Sequence, residues 1–360
     1  MSAFEDILRP GLRDLPPYRL VEETAPVKLS QNESPFDIPP ELKREALDRA
    51  GKRPWNRYAQ EVPNRVVKLL SELNKWPEEG IVLAAGSNLL LELLGLSTIK
   101  PGSTALAPAP CFALYRLITA FTEGRYIEIP FAKNFIYDSA AWVDAAEKYR
   151  PALIFLCIPN NPTGSFMGRE GVEAVASASK GLVVVDEAYR EFAGEDRRDI
   201  LPQHPNMVLV RTFSKAFGAA GIRLGYMLAH PPLAEQIRKA VPPFNINVLT
   251  ATVAEVLLEN HQVIIERVRY ILRERERVIA VLRSFPEVEV FPTRGNFFLL
   301  RTPYESSTVA EALRRLGVAV RVLSGAGLER CVRVNVGTEE ENDRFLSALK
   351  EVLLALSGRA

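Results

Sequence analysis

Apolar residues in this chain fall into two alternating textures. Five short runs, STALAPAP (103–110), ALIFLCIP (152–159), GLVVVDEAY (181–189), MVLVRTF (207–213) and RLGYMLAH (223–230), lack the period-two alternation of a half-exposed strand. Stretches with helical spacing separate or precede them: CFALYRLITAF (111–121), REGVEAVASASK (169–180), PELKREALDRA (40–50), and a segment from Asn64 with Val66, Leu69, Leu70 and Leu73 on one face. Apolar strands spaced by helices predict a mainly parallel sheet with helices on both sides. A long helical pattern is predicted from about Val248 to Phe285, stopped by Pro286. Beyond it VEVFPT, NFFLL, VAVRVL and CVRVNVG read as shorter strands, with helices near 307–316 and 339–357. The expected fold class is α/β: a large domain with a mainly parallel sheet between helices (46–265) and a smaller C-terminal α+β domain (266–360). A Pro-rich N-terminal arm (1–45) is expected to join the smaller one.

Composition narrows the function classes. At roughly 150 residues per domain, 360 residues allow two or three. Lysine plus arginine number 45 against 44 acidic residues, a net charge of +1, which removes the electrostatic case for a nucleic-acid binder. Cys111, Cys157 and Cys331 are scattered and odd in number, so they read as buried thiols of a reducing compartment. The three histidines are isolated, and no metal site is expected. The first fifteen residues lack the apolar centre of a signal peptide, and the most apolar stretch, Ile81 to Ile99, is interrupted by Gly86, Ser87, Asn88 and Glu92. No membrane association and a cytoplasmic location follow as expectations.

Ligands of open α/β sheets gather at the carboxyl ends of the strands. Three runs place polar residues there: Asn160-Asn161-Pro162-Thr163-Gly164, Asp186-Glu187-Ala188-Tyr189, and Ser214-Lys215-Ala216-Phe217-Gly218 followed by Arg223. Each has a plain structural explanation on its own. The first is a good turn, Asp186 would cap the segment after it, and most lysines lie on the surface. Together they meet one chemical requirement. A lysine amine condenses with an aldehyde, an acid keeps a pyridine nitrogen protonated, and an asparagine and a tyrosine hydrogen-bond a phenolate oxygen. That is the donor set of a pyridoxal phosphate site.

Along most of its length the chain resembles the fold-type I pyridoxal phosphate aminotransferases, through IPNNPTG, VVVDEAY and TFSKAFGAAGIRLGY. The resemblance implies Lys215 as the Schiff-base lysine, Asp186 beneath the pyridine nitrogen, and Asn161 with Tyr189 on the ring hydroxyl. It places Ser214 and Arg223 on the phosphate, with backbone N–H groups of Gly86-Ser87-Asn88 at a helix start, and Phe112 stacked on the ring. LPPY (15–18), LSQNESPFD (29–37), WNRYAQ (55–60), GVAVRVL and RCVRVNVGTEEEN are similar to the histidinol-phosphate aminotransferase family. That narrower resemblance implies Tyr18, Asn32, Arg321 and Arg333 at the substrate. It also implies a homodimer with shared active sites, Tyr58 reaching the cofactor phosphate of the neighbouring subunit. The chain departs from that family at Asn88-Leu89, where an acidic pair is usual, and at Phe112, where tyrosine is usual.

Arg321 and Arg333 lie on strand-like runs where surface ion pairs are common, yet they alternate with apolar residues, and guanidinium is the usual partner of phosphate or carboxylate. The implied reaction is transfer of the amino group of L-histidinol phosphate to 2-oxoglutarate, with a small-molecule amino donor and a 2-oxo acid sharing one cationic site. Three alternatives stay open on the residues. An aromatic amino-acid aminotransferase shares every cofactor residue and differs in its side-chain pocket. A pyridoxal phosphate decarboxylase of a phosphorylated amino acid would release carbon dioxide without a keto acid. A regulator built on this fold would carry an added DNA-binding domain, for which the pattern leaves no segment.

Overall fold

In a computed structural model, which describes residues 7, 25–60, 62–325 and 327–358, the apolar runs become the strands of two sheets. In chain order the elements are β1 (Val27–Leu29), α1 (Pro40–Gly51), α2 (Asn64–Asn74), β2 (Ile81–Ala84), α3 (Ser87–Thr98), β3 (Thr104–Ala109), α4 (Leu114–Phe121), β4 (Arg125–Pro130) and α5 (Ser139–Tyr149). There follow β5 (Leu153–Cys157), α6 (Arg169–Ala178), β6 (Leu182–Asp186), β7 (Met207–Thr212), β8 (Gly225–Ala229), α7 (Pro231–Arg238), α8 (Val248–Glu259) and α9 (His261–Leu282). The chain closes with β9 (Glu289–Val290), β10 (Phe297–Arg301), α10 (Ser306–Arg315), β11 (Val318–Val322), β12 (Cys331–Asn335) and α11 (Glu339–Leu356).

The seven-stranded sheet runs in the order β2-β8-β7-β6-β5-β3-β4. Every residue of β5, β6 and β7 is buried, as continuous apolar runs require when helices cover both faces. Each fully buried Leu, Ile or Val there contributes about 1.5–3 kcal/mol of transfer free energy. β3, β4, β5, β6 and β7 are mutually parallel, so their carboxyl ends share one edge; in register, Cys157 pairs with Asp186 and Asp186 with Val210. RLGYMLAH forms a strand, but β8 runs antiparallel to both β7 and β2, a direction that an apolar run does not encode.

The five-stranded sheet runs β1-β11-β12-β10-β9. β1 comes from the N-terminal arm and pairs in parallel with β11, Val27 opposite Val318 and Leu29 opposite Val320. That pairing brings Ser30–Glu33 to the carboxyl edge of the large sheet. The single helix expected over 248–285 is two, α8 and α9, bent by 76°. Asn260 marks the break: the residue is non-helical (φ −109°, ψ 32°), its N–H and its side-chain amide both donate to the Val256 carbonyl (3.1 and 2.8 Å) to close α8, and its own carbonyl accepts from the Val263 N–H at 3.1 Å to open α9. The helix expected from Cys111 begins at Leu114, which leaves Cys111 and Phe112 in the preceding loop. Among the described residues no single helix is long and apolar enough to cross a membrane.

Candidate active site

The strand ends converge on a cavity of about 440 Å³. The large sheet supplies Asn161, Asp186, Tyr189, Ser214 and Lys215, and the small sheet supplies Arg321 and Arg333. Ser87, Asn88, Phe112, Arg223 and Asn32 complete the set that the sequence singles out. Of the remaining candidates, Tyr18 lies outside the described residues. Tyr58 is not on this wall: it is 84% exposed and stacks on Phe244 with centroids 4.7 Å apart.

Asp186 ends β6 facing the cavity. Its Oδ2 accepts from Tyr115 Oη at 2.7 Å and its Oδ1 accepts from the Ala188 N–H at 3.1 Å, so the capping role and the cavity role coexist. Burial pushes this carboxyl up to about 6, against the pull of those two donors. Lys215 is half-buried and its Nζ donates to the Gln31 carbonyl at 3.1 Å. Burial lowers its amine to about 8, and the nearby Arg333 and Arg223 charges act in the same sense while Glu33 opposes them. Tyr189 is buried with its Oη accepting from Asn32 Nδ2 at 2.9 Å; burial raises the phenol, and Arg333 and the Asn32 donor counter it.

A second group of atoms forms an anion cradle. α3 starts at Ser87 without a side-chain cap, and Ser87 and Asn88 line the cavity, so N–H groups that no helical carbonyl takes lie at its wall. Gly86 has φ +94°, and a Cβ there would meet Arg223 Nη2 at 2.6 Å; glycine lets the guanidinium close over the helix start. Arg223 Nη1 in turn donates to Ser214 Oγ at 3.4 Å and to the Ala220 carbonyl at 3.2 Å. Gly225 on β8 is equally constrained, since a Cβ would stand 2.2 Å from the Ser87 nitrogen.

The outer wall is cationic. Arg321 of β11 lies directly opposite Arg333 of β12 in the antiparallel register. Like charges placed so are destabilising unless an anion joins them, and both residues line the cavity. Arg333 is buried and donates through Nη2 to the Ser30 carbonyl at 2.7 Å and through Nη1 to Asn161 Oδ1. Asn32, in the left-handed region at φ 53°, donates its N–H to Asn335 Oδ1 at 2.7 Å. Among the described residues its own Oδ1 is buried without a hydrogen-bond partner, and the residue lines the cavity.

Sequence reasoning missed Tyr115 and Asn335. Tyr115 is fully buried, one turn along from Phe112, and stacks on Phe155 at 4.5 Å; a lone tyrosine in an apolar helix carries no sign of its partner 71 positions on. The cysteines are free, with Cys157 and Cys331 buried as expected but Cys111 only half-buried on the cavity wall.

The donor set fits a phosphorylated pyridine aldehyde. It combines an amine of lowered basicity, a buried acid on the same wall, two polar groups for a ring oxygen, and a glycine-lined anion cradle. The family model described as aminotransferase class I and II matches residues 24–349. A histidinol-phosphate aminotransferase of Chlorobaculum tepidum is 35% identical over 96% of this chain and 100% of its own length. One from Deinococcus radiodurans is 36% identical over 95% of each. Among solved structures, the histidinol-phosphate aminotransferase of Sinorhizobium meliloti in complex with pyridoxal 5′-phosphate superposes with a TM-score of 0.89, at 26% identity over 99% of both chains.

Proposed function

The chain belongs to the aminotransferase class I and II family, among the histidinol-phosphate aminotransferases, and from that premise we propose its substrates and the roles of its residues. It is a pyridoxal phosphate-dependent aminotransferase of histidine biosynthesis. The reaction is L-histidinol phosphate plus 2-oxoglutarate giving imidazole-acetol phosphate plus L-glutamate.

When bound, pyridoxal phosphate supplies an aldehyde that accepts the amino group and a ring that delocalises the electrons left at Cα. Lys215 Nζ would hold the cofactor and is the amine that would take the proton from the substrate Cα. Its lowered basicity leaves more of it unprotonated at neutral pH than an exposed lysine would be. Asp186 would keep the ring nitrogen protonated, and its carboxyl would be charged beside that cation. Asn161 and Tyr189 would hydrogen-bond the ring oxygen, and Phe112 would help hold the ring. Ser214, Arg223 and the N–H groups at Ser87 and Asn88 hold the phosphate.

The observation that carries the substrate assignment is the pair of facing arginines, Arg321 and Arg333, at the cavity mouth. One dianionic phosphate balances two guanidinium groups, and a carboxylate takes the same place in the second half-reaction. Asn32, and Tyr18 from the arm, complete substrate binding. Tyr58 serves a second copy: its exposed ring stacks on Phe244, and Trp55, three residues before it, is 72% exposed, which supports a homodimer with shared sites. Three free thiols favour the reducing cytoplasm.

Single-turnover conversion of the bound cofactor by a panel of amino donors tests the assignment. Histidinol phosphate should react far faster than phenylalanine, and the reverse order would overturn the substrate reading. Arg333→Ala should slow both half-reactions by roughly 30- to 1000-fold in kcat/KM, the loss of one buried charge-assisted contact of about 2–4 kcal/mol. Arg321→Ala should harm histidinol phosphate more than glutamate, and lysine at either position should restore only part of the loss.

A further inference from the structure

Directly behind Asp186 is a carboxylate that the reaction leaves unused. Asp186 faces the cavity, while Glu187 points into the protein between two guanidinium groups. The exposures are 1% for Glu187, 0% for Arg197 and 1% for Arg211. Arg211 Nε donates to Glu187 Oε2 at 2.8 Å and Arg197 Nη1 donates to Oε1 at 3.2 Å, so each oxygen serves a different arginine. The arginines lead to different places. Arg211 is on β7, four residues before Lys215, and also donates to Asp196 Oδ1 at 2.9 Å and to Asn74 Oδ1. Arg197 donates to the Met167 carbonyl at 2.7 Å and lies 4.8 Å over the Phe166 ring, at the far end of the loop that begins with Asn161.

We propose that Glu187 is a positioning residue: through Arg197 and Arg211 it sets the spacing of the three loops that carry Asn161, Asp186 with Tyr189, and Lys215. The inference rests on the reading that those loops hold pyridoxal phosphate. A buried ion pair adds little net stability over apolar packing of the same volume, so stability alone is a weak reason for charges here. Its geometric effect is strong, because a carboxylate whose two oxygens are each held by a different planar guanidinium restricts how the elements bearing them can sit. Glutamine offers one acceptor where two are used, and lysine in place of Arg197 keeps the charge but cannot reach Glu187 and Met167 together.

The test compares Glu187→Gln and Arg197→Lys in the full-length holoenzyme with Arg275→Met. Arg275 is also buried and bridges the Gly295 carbonyl (2.9 Å) and the Phe192 carbonyl (3.4 Å), with no link to Glu187. Three quantities are read: the thermal midpoint, the rate of pyridoxal phosphate release, and the pH midpoint of its visible absorbance. In Glu187→Gln and Arg197→Lys, release should quicken by about tenfold and the pH midpoint should move. Turnover in both should fall roughly ten- to a hundredfold with KM for the amino donor nearly unchanged. Arg275→Met should lower the thermal midpoint alone. If the first two variants behave like Arg275→Met, the network is structural only and the proposal is wrong. It is equally wrong if neither variant folds, since the network then serves stability. A wild-type chain that takes up no pyridoxal phosphate would instead sink the functional reading, before any variant is compared.

Discussion

Lys215 and Asp186 are shifted in opposite directions by one cause, burial, and this gives the cofactor-free protein a definite pH signature. The unfolded chain holds the lysine proton up to about pH 10.5, whereas the folded chain releases it near 8. The unfolded state therefore binds more protons across that window, and stability rises with pH through it, by up to about 3 kcal/mol. Asp186 acts in the other sense. Between 3.8 and about 6 the folded state binds the extra proton, so stability falls as pH rises there. Denaturant midpoints at pH 8 and pH 10 should show the rise in wild type and its loss in Lys215→Met; equal slopes would show that the lysine is not desolvated. Asp186→Asn tests the acid separately. It keeps the shape and the Tyr115 contact but removes the charge, so cofactor should still bind while kcat falls by orders of magnitude, and near-normal turnover would reduce Asp186 to a cap. At this scale the sequence was informative where a residue's type and its place at a strand end both pointed to one chemistry. It was silent about Tyr115 and Asn335, whose importance lies wholly in what they touch.

Among elements, the start of α3 carries the most specific expectation. Gly86 (φ 94°, ψ 156°) is in a conformation that costs a residue with a Cβ about 1–3 kcal/mol, and the added atom would also displace Arg223. Gly86→Ala should therefore weaken pyridoxal phosphate binding by about tenfold or more while leaving the remote capping box of α11 and the small sheet intact. Equilibrium binding followed by absorbance measures this, and unchanged affinity would mean that the helix start does not hold the phosphate. The strands and most helices were legible because burial on both faces writes continuous apolar runs, and surface helices write a 3.6-residue period. The direction of β8 and the break at Asn260 were not. Both depend on which neighbour is available, a partner strand in one case and a carbonyl four residues back in the other.

For the whole molecule the open quantity is assembly. Tyr58 is absent from the lining of its own cavity, is 84% exposed and stacks on the exposed Phe244, the arrangement expected of a residue lent to a second copy. Mixing a Tyr58→Phe chain with a Lys215→Ala chain should produce a heterodimer in which one site regains both intact residues, with activity above that of either parent. A purely additive mixture, or a monomer by sedimentation, would rule out shared sites.

The order of apolar runs and the polar residues closing three of them were enough to reach an α/β architecture and a pyridoxal phosphate cofactor, because strand type and donor chemistry are local properties of a sequence. Tertiary structure alone decided what meets across the cavity. Arg321 faces Arg333 only through the pairing of β11 with β12, Asn32 reaches Tyr189 only because β1 joins the small sheet, and Glu187 finds its two arginines only once β6 and β7 lie side by side. These are pairings between distant segments, set by packing geometry and register, and no spacing along the chain records them.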